Sequence, residues 1–243
     1  MKRGLVGFGG VRGVALDLGS ARARVWSSER GLVLDAPTAR RGRRLVSRGT
    51  VADVAGVVAL VGAAVEDGRR DRLSAVVTTP VLSDDSHRAD VRTVLAELGV
   101  GSVVMIDSVK AAAFGAGADV AGPLLVVDLG AQLTEVALVV GGAVVAARRT
   151  ALGLDDVRTV FPIVEVVGEA VLELLHGDCG AQVVDALDRG VLLTGGGALR
   201  PELTYKLGHR LGAPVAPAPA PHTAAVRGAA TALQATHRHP TGS

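Results

Sequence analysis

The sequence predicts an α/β fold of two related lobes, each a mixed sheet with flanking helices, facing each other across a cleft. Three observations carry that prediction. Apolar runs of strand length alternate with helix-length segments along the chain. The tetrapeptides Leu16-Asp17-Leu18-Gly19 and Val127-Asp128-Leu129-Gly130 are near copies, each closing one apolar run and preceding another. Each copy opens three extended runs followed by helix–strand units, so the chain reads as an internal duplication.

The elements follow in order. Gly13–Gly19, Ala23–Ser27 and Gly31–Leu34 read as an antiparallel three-strand meander. Ala39–Arg44 is a basic loop, and helical periodicity runs from Val51 to about Val65. Leu73–Thr78 is a buried strand that stops before Pro80. Ser86–Leu98 is an amphipathic helix with Ser83 or Asp85 as N-cap, Gly101–Ile106 a strand, and Ser108–Ala116 a helix of small residues. Pro123 opens the second cycle. Leu124–Leu129, Thr134–Val140 and Ala143–Thr150 form another meander, with Gly141-Gly142 as a hairpin turn. Val157–Leu175 is mostly helical, with Pro162 near its start or at a kink. Gly190–Thr194 is a strand, Ala198–Leu211 a helix, Ala216–Pro221 a stiff Pro-Ala loop, Thr223 to about Leu233 a closing helix, and His237–Ser243 a frayed tail. The lobes are placed at residues 1–118 and 119–243.

Composition limits the function. Hydrophobic residues make up 49% and charged residues 21% of 243, enough for a sizeable core. Aromatics are 2%, so the core is built from Val, Leu and Ala, and base-stacking platforms for single-stranded nucleic acid are lacking. A net charge of +2 adds no case for a nucleic-acid partner, and none is expected. Cys179 stands alone, which excludes an internal disulfide and a Cys-rich zinc site, and the six histidines are scattered. The longest apolar stretches, Val54–Val65 and Val136–Ala147, are too short to cross a bilayer, and Met1–Val6 lacks a signal-peptide pattern. The expected location is the cytoplasm, with peripheral membrane contact left open.

The chemistry is concentrated at the repeats. An Asp at a strand end, followed by a glycine-permitted turn, puts a carboxylate and backbone N–H groups at a hairpin mouth. Two such hairpins face to face can clamp a polyphosphate, with Asp17 and Asp128 holding a hydrated Mg²⁺. Thr194-Gly195-Gly196-Gly197-Ala198 leads a strand into a helix through three glycines, which lets a ligand approach the backbone and meet the helix N-terminus. The plainer reading of those glycines is a tight turn.

The order of these motifs resembles the actin, Hsp70 and sugar-kinase ATPase superfamily, and within it MreB, the bacterial actin homologue. Asp17–Ala23 resembles the first phosphate loop of that family, and Arg48–Asp53 its D-G-V-I-A-D segment. Ile106–Gly117 resembles I-E-E-P-M-A-A-A-I-G-A-G, and Asp128–Val136 resembles D-I-G-G-G-T-T-E-V. Thr194–Leu199 resembles the adenosine motif, and Arg227-Gly228-Ala229 the R-G-A of the last helix. The resemblance implies two actin-like lobes of ribonuclease-H type, with the last helix able to pack on the first lobe. It implies ATP or ADP with Mg²⁺ as cofactor, held by Asp17, Gly19, Ser20, Asp128, Gly130, Thr134, Gly195, Gly196, Gly197 and Ala198. It implies a role in cell shape or cell-wall morphogenesis, and as partner a second copy or a full-length MreB-type protein.

The chain departs from that pattern. Only short segments stand after Thr38 and Gly153, where MreB carries small outer subdomains. Ala131, Gln132 and Leu133 replace residues of the second phosphate loop, with side chains that would crowd a phosphate. Ser108 falls where the family has the Glu that orients water, leaving Asp107 or Glu135 as substitutes. The expectation is weak or lost hydrolysis. An alternative is a non-enzymatic interaction module, and a small-molecule kinase ranks last because no substrate-activating Asp or sugar-pocket insertion is found. Arg40, Arg41, Arg43, Arg44 and Arg48 read either as a surface for anionic lipid or an acidic partner, or as a solvated loop. Asp84–His87 reads as a capped helix start, and Trp26 as a packing residue.

Overall fold

The structure is a computed structural model, described over residues 13–40, 42–65 and 73–238. Arg41, His239 and the end of the tail lie outside the described residues. In the first half, strands β1 (Gly13–Leu18), β2 (Arg22–Ser27) and β3 (Gly31–Pro37) form the expected antiparallel meander. Two minimal hairpins follow, β4 (Ala39–Arg40) with β5 (Arg43–Arg44) and β6 (Val46–Ser47) with β7 (Thr50–Val51). The chain continues through α1 (Val54–Val65), β8 (Ser74–Thr79), α2 (Asp85–Glu97), β9 (Ser102–Asp107) and α3 (Ser108–Ala116). The sheet order is β3-β2-β1-β8-β9, with β8 and β9 parallel to β1.

The second half repeats this plan. It runs β10 (Leu124–Leu129), β11 (Thr134–Val140), β12 (Ala143–Thr150), α4 (Phe161–Leu175), α5 (Gly180–Arg189), β13 (Val191–Thr194), α6 (Pro201–Leu211), β14 (Val215–Pro217) and α7 (Ala224–Arg238). Its sheet order, β12-β11-β10-β13-β14, matches the first strand for strand. The central strands β1 and β10 are buried along most of their length, because helices cover both faces of each sheet.

Local chemistry corrects several expected boundaries. The cap of α2 is Asp84, neither Ser83 nor Asp85: its Oδ1 accepts from the His87 N–H at 2.8 Å, while the Ser83 hydroxyl donates to the Pro80 carbonyl at 2.6 Å. Helix α1 starts at Val54 because Val51 pairs in β7 and the Asp53 carboxylate accepts from the Gly56 N–H. Pro162 sits in the first turn of α4, so nothing kinks. The helix after the three glycines begins at Pro201, not Ala198. A short 3₁₀ turn, Gly196–Leu199, precedes it. Residues 215–217 of the Pro-Ala stretch are an edge strand, where proline's missing donor costs no ladder bond. Helix α5 was not anticipated. Its inward residues, Val183 and Ala186, keep the three-residue spacing that marks it.

The two halves exchange their last helices. From α7, Val226, Ala229, Ala230 and Leu233 pack on Ala15 and Val76 of the first sheet. From α3, Val109 and Ala113 pack on Leu124, Val126, Ala137 and Val139 of the second. The helices cross where Ala111/Gly115 meets Ala224/Gly228. A Cβ at Gly115 would lie 2.0 Å from the Ala224 carbonyl oxygen, and one at Gly228 would lie 1.6 Å from that of Ala111. Only glycine permits this backbone-to-backbone approach.

Candidate functional site

Between the lobes lies a cleft of about 420 Å³, and the two repeats form its walls. The hairpins after β1 and β10 fold alike: the Gly19 N–H donates to the Arg22 carbonyl at 3.0 Å, and the Gly130 N–H to the Leu133 carbonyl at 2.9 Å. Asp17, Gly19, Ser20, Asp128, Gly130, Glu135, Gly195 and Gly196 all line the cleft. Gly195 has φ +80°, and a Cβ there would lie 2.2 Å from Asp128 Oδ1, so the strand end is held against the carboxylate. A Cβ on Gly196 would meet nothing within 4 Å, which leaves its backbone open to a ligand. Four expected residues stand outside the lining. Asp107 ends β9 without capping α3 through its side chain. The Thr134 hydroxyl is buried and donates to the Leu152 carbonyl at 2.8 Å. Gly197 packs against Leu129, and Ala198 is buried in the second core.

The register sets the electrostatics. Asp17 faces Arg24 across β1 and β2, and Asp128 faces Glu135 across β10 and β11. Asp17 Oδ1 accepts from the Thr78 hydroxyl at 2.8 Å, and its Oδ2 lies 3.4 Å from Arg24 Nη1. Glu135 accepts from the Val81 N–H at 2.6 Å and from the Ser108 hydroxyl at 2.9 Å. Burial, then the charge of Asp17, push Asp128 up to about 7, against the pull of Arg24. Burial, then Asp128, push Glu135 up to about 8, against the Val81 and Ser108 hydrogen bonds and Arg149. Burial also raises Asp107, partly offset by Arg88 and Lys110. Ser108 is thus tied to Glu135.

This donor set does not fit a hydrated Mg²⁺ between Asp17 and Asp128. Both Asp17 oxygens are engaged, one by the Arg24 guanidinium, and Glu135 is held by two donors. A divalent ion there would sit against a fixed positive charge. Among the described residues, no three His, Cys, Asp or Glu side chains group to hold a metal.

The second loop bridges the lobes. Gln132 is buried, and its Oε1 accepts from the Arg48 N–H at 3.2 Å across the cleft. The Gly49 N–H donates to Ser20 Oγ at 3.1 Å. Arg44 pairs with Asp155 at 3.2 Å and Arg48 with Asp156 at 3.1 Å, while Arg43 pairs with Asp53 at 3.5 Å. The arginine cluster is therefore not simply a solvated loop: three of its members have carboxylate partners, and two of those span the lobes. Sequence reasoning missed Arg24, Thr78, Arg200 and His222, which also line the cleft. Arg24 had a signal, a charged residue between the apolar Ala23 and Val25 in the middle of a strand.

Comparison with known proteins agrees with this geometry. Solved structures of similar fold include MreB5 of Spiroplasma citri bound to ADP, with TM-score 0.84 and 15% identity, covering 93% of this chain and 97% of that one. The AMPPNP-bound form of MreB5 gives TM-score 0.82, 15% identity and the same coverage. The MamK double helical filament gives TM-score 0.70 at 14% identity, covering 92% of this chain and 98% of that one. A search of curated proteins finds no match. The sequence profile described as MreB/Mbl protein matches residues 43–160 and 155–241, most of the chain. With its duplicated lobes and hairpin-walled cleft, the chain belongs to the MreB/Mbl family.

Proposed function

We propose that this chain is an actin-fold cytoskeletal protein that binds ATP or ADP in the cleft, hydrolyses it weakly or not at all, and acts in cell shape or cell-wall morphogenesis. The observation that carries the proposal is the pair of matching hairpins facing Gly196, whose backbone is open to the cleft. The bound MreB5 structures carry ADP and AMPPNP in a protein of similar fold. Leu199, 58% exposed at the cleft rim, supplies an apolar surface for the base. Weak hydrolysis follows from chemistry. Ser108 cannot accept a proton from water at neutral pH, and Glu135 is pushed up and already accepts two hydrogen bonds. Asp107 ends β9 away from the cleft lining, so it gives no replacement.

Self-association, or assembly with a full-length relative, is part of the proposal, and the MamK filament is the precedent of similar fold. Membrane contact through Arg40, Arg41, Arg43 and Arg44 is a subsidiary part. Arg43 and Arg44 would have to leave Asp53 and Asp155 to make it. Among the described residues no helix is long and apolar enough to cross a membrane.

The test is thermal unfolding with and without nucleotide, followed by phosphate release. Ligand-dependent stabilisation follows from mass action when only the folded state binds. A rise in melting temperature with ADP and ATP, lost in Gly196→Leu, supports the proposal; no shift at millimolar nucleotide sinks it. A second reading, a scaffold without nucleotide, is favoured by one observation: Gln132 and the Arg48–Asp156 pair already bridge the lobes without ligand.

A further inference from the structure

Arg24 is a charged side chain buried in the wall of the cleft. It lies on β2 opposite Asp17 and lines the cleft. It is 9% exposed, yet among the described residues its one hydrogen bond runs to Asp17 at 3.4 Å, the long limit for such a contact. Its Nε lies 3.4 Å from Asp35 Oδ1 but makes no hydrogen bond there, and Asp35 is already engaged by Arg22 at 2.5 Å. A guanidinium has five N–H donors in a planar fork; this one lies between Asp17 and Asp35, with its Nε buried and without a hydrogen bond. Leaving a buried donor unpaired is costly, and a ligand that satisfies it is bound correspondingly well.

The surroundings define that ligand. The walls are the backbone turns of Asp17-Leu18-Gly19 and Asp128-Leu129-Gly130, a geometry suited to anionic oxygens. Arginine matches phosphate through two parallel N–H···O bonds and brings a permanent positive charge to it. The acids that would ligate a metal are otherwise engaged: Asp17 by Thr78 and Arg24, and Glu135 by Val81 and Ser108. Asp128, beside the second hairpin, also lines the cleft.

We propose that in this cleft the Arg24 guanidinium takes the place of the divalent cation, so that the phosphates of ATP or ADP are bound without Mg²⁺. The proposal rests on the nucleotide reading above and concerns how the same site is charged. Arg24 would keep Nη1 on Asp17 and offer Nη2 to the phosphate, while Thr78 holds the other Asp17 oxygen.

The test is calorimetric titration of the full chain with ADP and with ATP, once in excess Mg²⁺ and once in excess EDTA. The expected result is a dissociation constant that changes by less than about three-fold between the two conditions. Arg24→Gln should weaken binding in EDTA about ten- to hundred-fold, from the loss of charge-assisted hydrogen bonds. Arg24→Lys, which keeps the charge and loses the fork, should fall between. Circular dichroism of each variant establishes that it is folded, and if Arg24→Gln does not fold the wild-type titrations decide alone. Binding in Mg²⁺ that vanishes in EDTA overturns the proposal and leaves the nucleotide reading standing. Binding in EDTA that Arg24→Gln, folded, leaves unchanged also overturns it. No binding under either condition overturns both.

Discussion

Replacing Gly228 by alanine should destabilise the fold strongly, although alanine is the better helix former. The added Cβ would lie 1.6 Å from the Ala111 carbonyl oxygen, 2.5 Å from its carbon and 2.9 Å from the Gly115 nitrogen. None of these is a flexible side chain, so relief requires α3 and α7 to part by roughly 1.5 Å. That movement lifts Val226, Ala229, Ala230 and Leu233 off Ala15 and Val76 and opens a gap along a packed face. Overpacking of this kind costs about 1–3 kcal/mol and sometimes more, and backbone atoms put this case at the upper end. Helix propensity returns about 1 kcal/mol. The net expectation is a loss of about 2–3 kcal/mol. At about 2–4 °C per kcal/mol for a chain this size, the melting temperature should fall by roughly 4–12 °C. Thermal unfolding followed at the helix band reads it directly. Gly62→Ala on α1 is the control, because the nearest atom to its Cβ is Leu98 Cδ2 at 3.7 Å and propensity alone should raise stability. Should both variants melt at or above the parent temperature, the close crossing is not a constraint and the reasoning is wrong.

Four further outcomes are expected. Gly195→Ala should lower stability by about 2 kcal/mol or more, since it combines a strained φ with a clash on Asp128, whereas Gly196→Ala should leave the melting temperature unchanged and weaken nucleotide binding; equal effects on stability would contradict the geometry. Asp128→Asn should raise stability more at pH 8 than at pH 4, measured by denaturant titration at both. The folded state raises this carboxyl's pKa, so the wild-type contribution is full below the unfolded value of 3.8 and is lost as pH rises through about 7, while Asn does not titrate. Asp155→Asn with Asp156→Asn should cost no more than about 1 kcal/mol per pair, because both pairs are part-exposed, yet should increase amide exchange in residues 42–50. Gln132→Ala should speed nucleotide release by loosening the link to Arg48, and an unchanged release rate would show that the link does not gate the cleft.

Much of the architecture was legible because it is written in apolar runs and repeated turns. Both meanders, the parallel strands and the hairpin pair follow from Asp-Leu-Gly at the ends of β1 and β10. What was not legible depends on partners far apart in sequence. Gln132 reads as an obstruction in a phosphate loop, and only its contact with Arg48, 84 residues away, shows it turned toward the other lobe. Thr134 sits one residue from the cleft-lining Glu135 and on the opposite side of its strand, so its hydroxyl goes to Leu152. The start of α6 was misjudged because three glycines followed by Ala and Leu look helical, while Pro201 fixes the first turn. Helix α5 is short and follows Gly177, Asp178 and Cys179, which interrupt the apolar pattern after α4.

The exchange of α3 and α7 makes the two lobes depend on each other. Ala15 is covered by Leu233, so the first sheet lacks a face until α7 has emerged from the ribosome. A nascent first half would carry an exposed apolar surface on β1 and β8, and a separated second half would lack the cover that α3 gives it. Such contacts between distant residues slow folding and favour a single cooperative transition over stepwise maturation of two units. Two fragments cut near the junction should accordingly be sticky alone and soluble when synthesised together, each completing the other with one borrowed helix.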